Sequence, residues 1–288
     1  MAEVETLRSL AVHGVPKTCN CEWPSWPMWG EEERVALSSV LESGAWWYGE
    51  RVREFEEKFA DFQNARYGVT TCSGTAALET ALQAMGVGRG HEVIVPAYTF
   101  VATASAVLRV GATPVFADIE ADTFCIDPAE VERKLTERTK AIIPVHLAGR
   151  AADMDALAVI ARQHNLILIE DACHAWGTQW RGKGVGAIGD CGVFSFQISK
   201  NITSAEGGII LTDDERLADI CRSYTNCGRQ KNGAWYEHFL PGSNLRLTEF
   251  QAAILVAQLG RLAAQTEKRQ ANATVLDAEL AKVPGIVW

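Results

Sequence analysis

The sequence lacks three features that would place it in other protein classes. No cluster of Lys and Arg interrupts a chain whose 27 basic residues are outnumbered by 36 acidic ones, for a net charge of -9, so a nucleic-acid-binding surface is not expected. No apolar run approaches the roughly 20 residues of a membrane-spanning helix. The opening MAEVETLRSL contains acidic residues and no signal-peptide core. We therefore expect a cytoplasmic protein that binds neither nucleic acid nor membranes.

The cysteines lack the spacing of a metal site. Five of the eight lie in apolar or small-residue segments, namely Cys72, Cys125, Cys173, Cys191 and Cys221. Cys19 and Cys21 form a C-x-C pair, and Cys227 follows Cys221 by six positions, whereas structural zinc sites commonly pair their cysteines across about two intervening residues. With no secretory signal to favour disulfides, we expect reduced, mostly buried thiols and no bound metal.

The first thirty residues differ in composition from the rest of the chain. They lack hydrophobic periodicity and contain tryptophans next to prolines, at Trp23, Pro24, Trp26, Pro27 and Trp29. This pattern is typical of an extended arm, and its aromatic faces need to be covered by the body of the protein or by a partner subunit. We therefore assign residues 1–30 to an N-terminal arm.

From Glu31 the sequence becomes that of an α/β protein. Two helical segments are followed, from Tyr67, by apolar strands that alternate with helices: YGVTTC, HEVIVPA, ATPVFADI, KAIIPVHLAG and LILIEDA. This alternation predicts a large domain, residues 31–250, with a mainly parallel sheet flanked by helices on both faces. Two further short strands, GVFSFQ and GGIILT, are predicted to be neighbours joined by an irregular loop that contains Lys200.

After Thr248 the chain changes character again. An Ala-rich, Leu-spaced stretch without proline, and with Gly260 as its single glycine, runs to about Lys282 and predicts one long helix that leaves the large domain. Pro284 and Gly285 end it, and the final IVW has the composition of a starting strand. We assign residues 251–288 to a linking helix and the start of a small C-terminal domain that is largely absent.

Two segments place polar residues where open α/β sheets bind ligands. In TCSGTAAL, Gly74 and Thr75 open a helix whose N-terminal amides would bind an anion such as phosphate, with a plain strand-to-helix turn as the alternative. In LILIEDACHAWG, the strand ends at Asp171, a buried acid that needs a cationic partner such as a protonated pyridine nitrogen. His174 would contact the phenolic oxygen of such a ring or its substrate, or else be a satisfied core histidine.

Two further segments supply an amine and an aromatic ring. In FSFQISKNITSAEGG, Lys200 lies among uncharged residues, which would lower the pKa of its amine and let it attack an aldehyde, although a surface lysine near a hairpin is the alternative. Ser195 near the strand end would hydrogen-bond a phosphate. In PAYTFVAT, Phe100 would stack on a planar cofactor, with Tyr98 as its rival and core packing as the alternative.

Together, SGTAAL, PAYTFVAT, EDACHAWG, FSFQISKNITSAEGG and GSNLRLTEFQAA resemble the DegT/DnrJ/StrS aminotransferases. The resemblance covers nearly the whole chain and implies fold type I of the pyridoxal-phosphate-dependent transferases, the aspartate-aminotransferase-like fold. It implies pyridoxal 5'-phosphate as the cofactor, with Lys200 as the Schiff-base lysine and proton carrier. By the same resemblance, Asp171 would pair with the pyridine nitrogen and His174 would lie beside the phenolic oxygen.

The resemblance also assigns the remaining contacts to the cofactor. Phe100 would stack on the ring, and the phosphate would be held by Gly74, Thr75 and Ser195. Asn244 in GSNLRL matches a family residue that reaches the phosphate of the neighbouring subunit, which implies a homodimer with its sites at the interface. From the residues alone, the alternative is that Asn244 is a turn residue after Gly242.

The reaction implied by the resemblance is amino-group transfer from glutamate or glutamine to a nucleotide-linked keto-sugar or a keto-cyclitol, in polysaccharide, aminoglycoside or secondary-metabolite biosynthesis. The donor would leave its amine on the cofactor, and the ketone would then receive it, with Lys200 moving the proton in both halves. SGAWW, FSFQ, NCGR and GSNLRL look closest to aminocyclitol aminotransferases and 3-amino-5-hydroxybenzoate synthases. The alternatives are a catalytically incomplete cofactor-binding relative and a 3-amino-5-hydroxybenzoate synthase-like dehydratase/aromatase.

A nucleotide-binding dehydrogenase is a rival from a different class, since Gly86, Gly88 and Gly90 form a glycine cluster. These glycines follow a predicted helix and precede a strand, which is the reverse of the order in a dinucleotide site. A dehydratase relative in which histidine replaces the lysine is disfavoured by the presence of Lys200. The sequence therefore favours amino transfer.

Overall fold

The structure is a computed structural model that describes residue 12, residues 14–17 and residues 19–286. Part of the predicted arm, residues 1–11, 13 and 18, lies outside the described residues, as does the end of the predicted last strand at 287–288. Residues 19–30 form neither helix nor strand. In this single chain Trp23 and Trp29 are mostly exposed, whereas the Trp26 indole donates a hydrogen bond to the carbonyl of Ile198 in the body.

The centre of the molecule is a seven-stranded sheet. Its strands are β1 (Tyr67–Thr71), β2 (Glu92–Pro96), β3 (Thr113–Ala117), β4 (Thr139–Ile142), β5 (Ile167–Asp171), β8 (Cys191–Ser195) and β9 (Gly208–Thr212). Two short strands, β6 (Gln179–Trp180) and β7 (Lys183–Gly184), form a separate hairpin outside this sheet. The order in the large sheet is β1-β9-β8-β5-β4-β2-β3. Within it β9 runs antiparallel to β1 and β8, and the other pairs are parallel. The prediction of a mainly parallel sheet is confirmed.

Helices cover both faces of this sheet. They are α1 (Glu31–Ser43), α2 (Glu50–Phe62), α3 (Gly74–Ala84), α4 (Ala102–Arg109), α5 (Pro128–Arg133), α6 (Met154–His164), α7 (Glu215–Thr225) and α8 (Glu249–Leu280). Side chains alternate across each strand. In β2, Val93 and Val95 therefore pack with α3 and α4, whereas Ile94 packs with α6. This coverage explains why β2, β8 and β9 are buried at every residue and have near-continuous apolar sequences.

Helix α8 confirms the predicted long helix after Thr248, which caps it by accepting a hydrogen bond from the Gln251 amide. Its first half packs against α2 and the sheet through Ala252, Leu255 and Leu262. From about residue 267 the helix is exposed along its length. The division into a large domain and a linking helix stays a prediction. Across the described ranges, no helix is long and apolar enough to cross a membrane.

All eight cysteines are free thiols. Three of them are buried, three are half-buried, and Cys19 and Cys21 in the arm are exposed, so fewer of them are buried than the sequence predicts. Residues 12, 14–17 and 19–286 contain no group of three or more His, Cys, Asp or Glu side chains that could hold a metal ion.

Candidate active site

A cavity of about 500 Å³ opens at the carboxyl ends of β5 and β8. Seven of the predicted site residues line it, namely Gly74, Thr75, Phe100, Asp171, His174, Ser195 and Lys200. They come from the start of α3, the end of β2, the end of β5 and the end of β8, which the parallel strands bring to one edge of the sheet. The structure thus joins four separate segments of the chain in one site.

Asp171 is the last residue of β5 and is only 5% exposed. One carboxylate oxygen accepts a hydrogen bond from the Thr103 hydroxyl (2.8 Å), and the other accepts from the Cys173 amide (3.2 Å). Thr103 is fully buried and also bonds the Thr99 hydroxyl at 2.8 Å. None of the described Lys, Arg or His side chains forms an ion pair with Asp171. This buried carboxylate faces the cavity with capacity for a cationic partner.

Lys200 lies in the tight turn that follows β8. Its amide donates to the Gln197 carbonyl at 2.9 Å, and its amine lies 5.9 Å from the centre of the Trp176 ring. Burial and the positive charge of Lys200 lower the pKa of His174, while the negative charge of Asp171 opposes that shift. His174 is therefore a neutral imidazole near neutral pH, on which the charges of both Lys200 and Asp171 act.

Cys173, two positions after Asp171, also lines the cavity. The sequence prediction did not include it in the site. Burial, followed by the charge of Asp171, raises the pKa of its thiol well above the usual range. Cys173 is therefore a neutral thiol that packs in the wall rather than a nucleophile.

The start of α3 lies at the cavity, where the sequence predicts that its amides bind an anion. Ser73 caps the helix by accepting a hydrogen bond from the Ala76 amide at 3.1 Å. The first amides of a helix have no partner within the helix, so those of Gly74 and Thr75 are available at the cavity. A Cβ atom on residue 74 would lie 2.9 Å from the Ser195 Cβ and 3.0 Å from the Cys173 sulfur. Glycine is thus required here first for the packing of α3 against the strand ends.

Phe100 and Tyr98 are both on the surface, with 66% and 57% of their area exposed. Core packing, one of the alternatives, is therefore wrong for both rings. Phe100 lines the cavity, whereas Tyr98 packs against Phe124 at 6.0 Å between ring centres and does not line it. The geometry favours Phe100 as the ring that contacts a ligand.

Asn244 lies away from the cavity of its own chain. It is exposed, and its backbone forms an isolated bridge with Asn226. The resemblance places this side chain at the site of a neighbouring subunit. Its position is compatible with that prediction but does not test it.

Sequence reasoning missed several residues of the site. Thr99, Gln197, Ser199 and Glu206 line the cavity, and Thr103 supports Asp171 from behind. Thr99 lies just before α4 and Thr103 lies in its first turn, so the two are four positions apart. A pair of threonines at helical spacing next to a strand end was the available signal.

Comparison with known proteins gives the same family as the motifs. The model of the DegT/DnrJ/EryC1/StrS aminotransferase family matches residues 27–288. The 3-amino-5-hydroxybenzoate synthase of Amycolatopsis mediterranei (strain S699) is 43% identical over 270 residues, which are 92% of this chain and 70% of that protein. The L-glutamine:2-deoxy-scyllo-inosose aminotransferase of Streptomyces paromomycinus is 44% identical over 290 residues, covering 95% of this chain and 68% of that protein.

A solved structure of similar fold supports the same assignment. The crystal structure of 3-amino-5-hydroxybenzoic acid synthase superposes with a TM-score of 0.89 at 43% identity, and the match covers 92% of this chain and 70% of that one. The fold is that of the type I pyridoxal-phosphate-dependent aminotransferases. On the match over residues 27–288, this chain belongs to the DegT/DnrJ/EryC1/StrS family of pyridoxal-phosphate-dependent aminotransferases.

Proposed function

We propose that this aminotransferase moves the amino group of glutamine, or of glutamate, to the ketone of a keto-cyclitol or a nucleotide-linked keto-sugar. The observation that carries the proposal is the shared cavity that holds the buried carboxylate of Asp171 and the amine of Lys200. The acceptor class is supported by similarity to a glutamine:2-deoxy-scyllo-inosose aminotransferase.

The residues present fit pyridoxal phosphate. Asp171 offers a buried carboxylate to a pyridinium nitrogen, and Lys200 offers an amine to an aldehyde. The free amides at the start of α3 and the hydroxyl of Ser195 offer donors to a phosphate, and the exposed face of Phe100 offers a surface to the ring. When bound, the cofactor supplies an aldehyde for amines and a protonated ring that withdraws electrons from them.

The chain's own residues then have distinct tasks. Lys200 Nζ moves a proton at the carbon that bears the donor's amine, because it lines the cavity and, as a neutral amine, can accept that proton and later return it. His174 is kept neutral by burial and by Lys200, so its ring can donate one hydrogen bond without adding a positive charge. The Thr103 hydroxyl and the Cys173 amide orient the Asp171 carboxylate.

We further propose that the protein is a homodimer in which Asn244 of each subunit contacts the phosphate at the other subunit's site. The exposed position of Asn244 supports this arrangement. So do the exposed rings of Phe100, Trp23 and Trp29, since exposed apolar surface is commonly covered in an assembly. The cytoplasmic location predicted from the sequence stays a prediction.

A 3-amino-5-hydroxybenzoate synthase-like reaction is the less favoured alternative. A relative of that name is 43% identical, but glutamine-dependent inosose aminotransferases recur among the relatives at 42–44% identity. An incomplete relative that binds cofactor without turnover remains the other alternative, and the assay below separates it from an active enzyme.

The test supplies the protein with pyridoxal phosphate, L-glutamine and 2-deoxy-scyllo-inosose or a nucleotide-linked keto-sugar, and detects the amine product by mass spectrometry. Lys200→Ala is the matched control. We expect product with the native protein only, and a borohydride-stable cofactor adduct that Lys200→Ala abolishes, since the covalent link needs that amine. An adduct that persists in Lys200→Ala, or binding without any amine product, contradicts the proposal.

A further inference from the structure

The turn that presents Lys200 is held mainly by bonds within itself. The Lys200 amide donates to the Gln197 carbonyl, and the Gln197 side-chain oxygen accepts from the amide and the hydroxyl of Ser199 at 2.9 and 2.7 Å. Ile198 and Ser199 are exposed. Internal bonds fix the shape of a turn, but they do not fix its orientation relative to the cavity. The flanking residues, such as Phe196, and contacts from outside the turn supply that orientation.

One such contact comes from the N-terminal arm. The indole N–H of Trp26 donates to the carbonyl of Ile198 at 2.7 Å, across 172 positions of sequence. Ile198 is two residues before Lys200, at the exposed side of the turn. The arm therefore reaches the turn by a hydrogen bond with specific geometry rather than by apolar contact alone.

The arm and the loop after Lys200 are both anchored on one stretch of α8. The Gln258 side chain accepts from the Thr203 amide at 2.8 Å and donates to the Thr203 carbonyl at 3.0 Å. Three residues later, Arg261 donates to the Met28 carbonyl at 3.0 Å and pairs with Glu33. Positions three apart lie on the same face of a helix. The Trp26 bond thus closes a path from α8 through the arm to the turn.

We propose that Trp26 is a positioning residue for Lys200. Residues 27 and 28 tie the indole to α8 through Arg261, and the indole in turn holds the Ile198 carbonyl and with it the orientation of the Lys200 turn. The inference rests on the proposed role of Lys200 as the reactive amine. The arm contributes to the reaction through this bond, without contacting substrate itself.

The test is hydrogen exchange of the turn amides, followed by mass spectrometry on the full chain without added cofactor. Trp26→Phe keeps an aromatic ring and removes the donor, and Trp23→Phe is the matched control, since Trp23 is 80% exposed. Loss of one hydrogen bond is expected to raise the exchange rate of the Ser199 and Lys200 amides by about threefold to tenfold. Exchange in β8 and β9 and the melting temperature are expected to stay unchanged.

A second readout is the kinetics of the cofactor-loaded protein. Trp26→Phe is expected to lower kcat by a similar factor with the KM for the amino donor unchanged, because it displaces a proton-moving amine rather than a donor-binding group. Exchange in Trp26→Phe equal to that in Trp23→Phe, or a uniform rise that includes β8 and β9, overturns the proposal. A failed adduct test at Lys200 would instead overturn the proposed function, because the exchange result does not depend on it.

Discussion

Glu170 and Asp171 are consecutive residues at the end of β5, and their environments differ sharply although both are buried. The oxygens of Glu170 accept from the amides of Gly186, Ile188 and Gly189 at 2.6–2.7 Å. A fourth contact joins Glu170 to His146 Nε2 at 2.9 Å. The Ala152 amide donates to the other ring nitrogen of His146, so the ring proton lies on Nε2 and is donated to Glu170.

Asp171, on the opposite face of the strand, has two donors in place of four. They are the Thr103 hydroxyl and the Cys173 amide, and the rest of the carboxylate faces the cavity. A carboxylate has about four acceptor positions, so Glu170 is saturated by the protein and Asp171 is not. The comparison separates a carboxylate that joins loops beneath the site from one that is available to a ligand.

The largest expected effect comes from Asp171→Asn. Asparagine keeps the size and one acceptor oxygen but removes the charge that would hold a proton on the cofactor ring. We expect turnover to fall by about 100-fold or more, whereas cofactor still binds and the melting temperature of the cofactor-free protein changes little. Steady-state kinetics and a thermal melt measure the two quantities. Unchanged turnover would remove Asp171 from this role.

The neighbouring substitution, Glu170→Gln, is expected to act on stability. Its amide group would face the His146 N–H and the Gly186 amide, so donors would meet donors in a fully buried site. We expect the free energy of unfolding to fall by about 3 kcal/mol, as measured by urea denaturation without cofactor. Glu57→Gln, at an exposed position of α2, is the control and should change it little. If Glu170→Gln lowered turnover and left stability intact, the distinction between the two carboxylates would fail.

The sequence was sufficient to predict the residues that strand ends bring together. The apolar LILIED run places Asp171 at the end of a strand, and the FSFQ and GGIILT strands place Lys200 in the loop between them, as the structure shows. Alternation in a strand implies that Glu170 and Asp171 face opposite sides. It does not tell which of the two carboxylates the protein saturates, because that depends on loops that contain His146, Gly186, Ile188 and Gly189, which lie 16 to 24 positions from Glu170.

Other features required coordinates because they depend on long-range packing. Gly74 was predicted to let a phosphate approach the backbone, but the structure shows that a side chain at this position would collide with Ser195 and Cys173. The Trp26 indole was predicted to need cover, but its bond to Ile198 joins positions 172 apart. The role of Asn244 is carried by the resemblance alone. A residue that contacts the site of a second subunit would not line the cavity of its own chain.

The smallest effect is expected at Thr103, which donates a side-chain hydroxyl to Asp171, whereas three of the four donors to Glu170 are backbone amides. Thr103→Val keeps the shape and removes the donor, so the carboxylate loses part of its orientation. We expect cofactor affinity and kcat each to fall by about threefold to tenfold, measured by fluorescence titration and steady-state kinetics.

Two variants make the Thr103 result specific. Thr103→Ser retains the hydroxyl and is expected to recover most of the loss. Thr80→Val removes a hydroxyl that is also fully buried but has no hydrogen-bond partner among the described residues, so it is expected to leave affinity and kcat unchanged. Equal losses in Thr103→Val and Thr103→Ser would mean that packing, and not the bond to Asp171, sets the effect. Asp171 would then hold its orientation through its backbone and the Cys173 amide alone, and would differ from Glu170 only in facing the cavity.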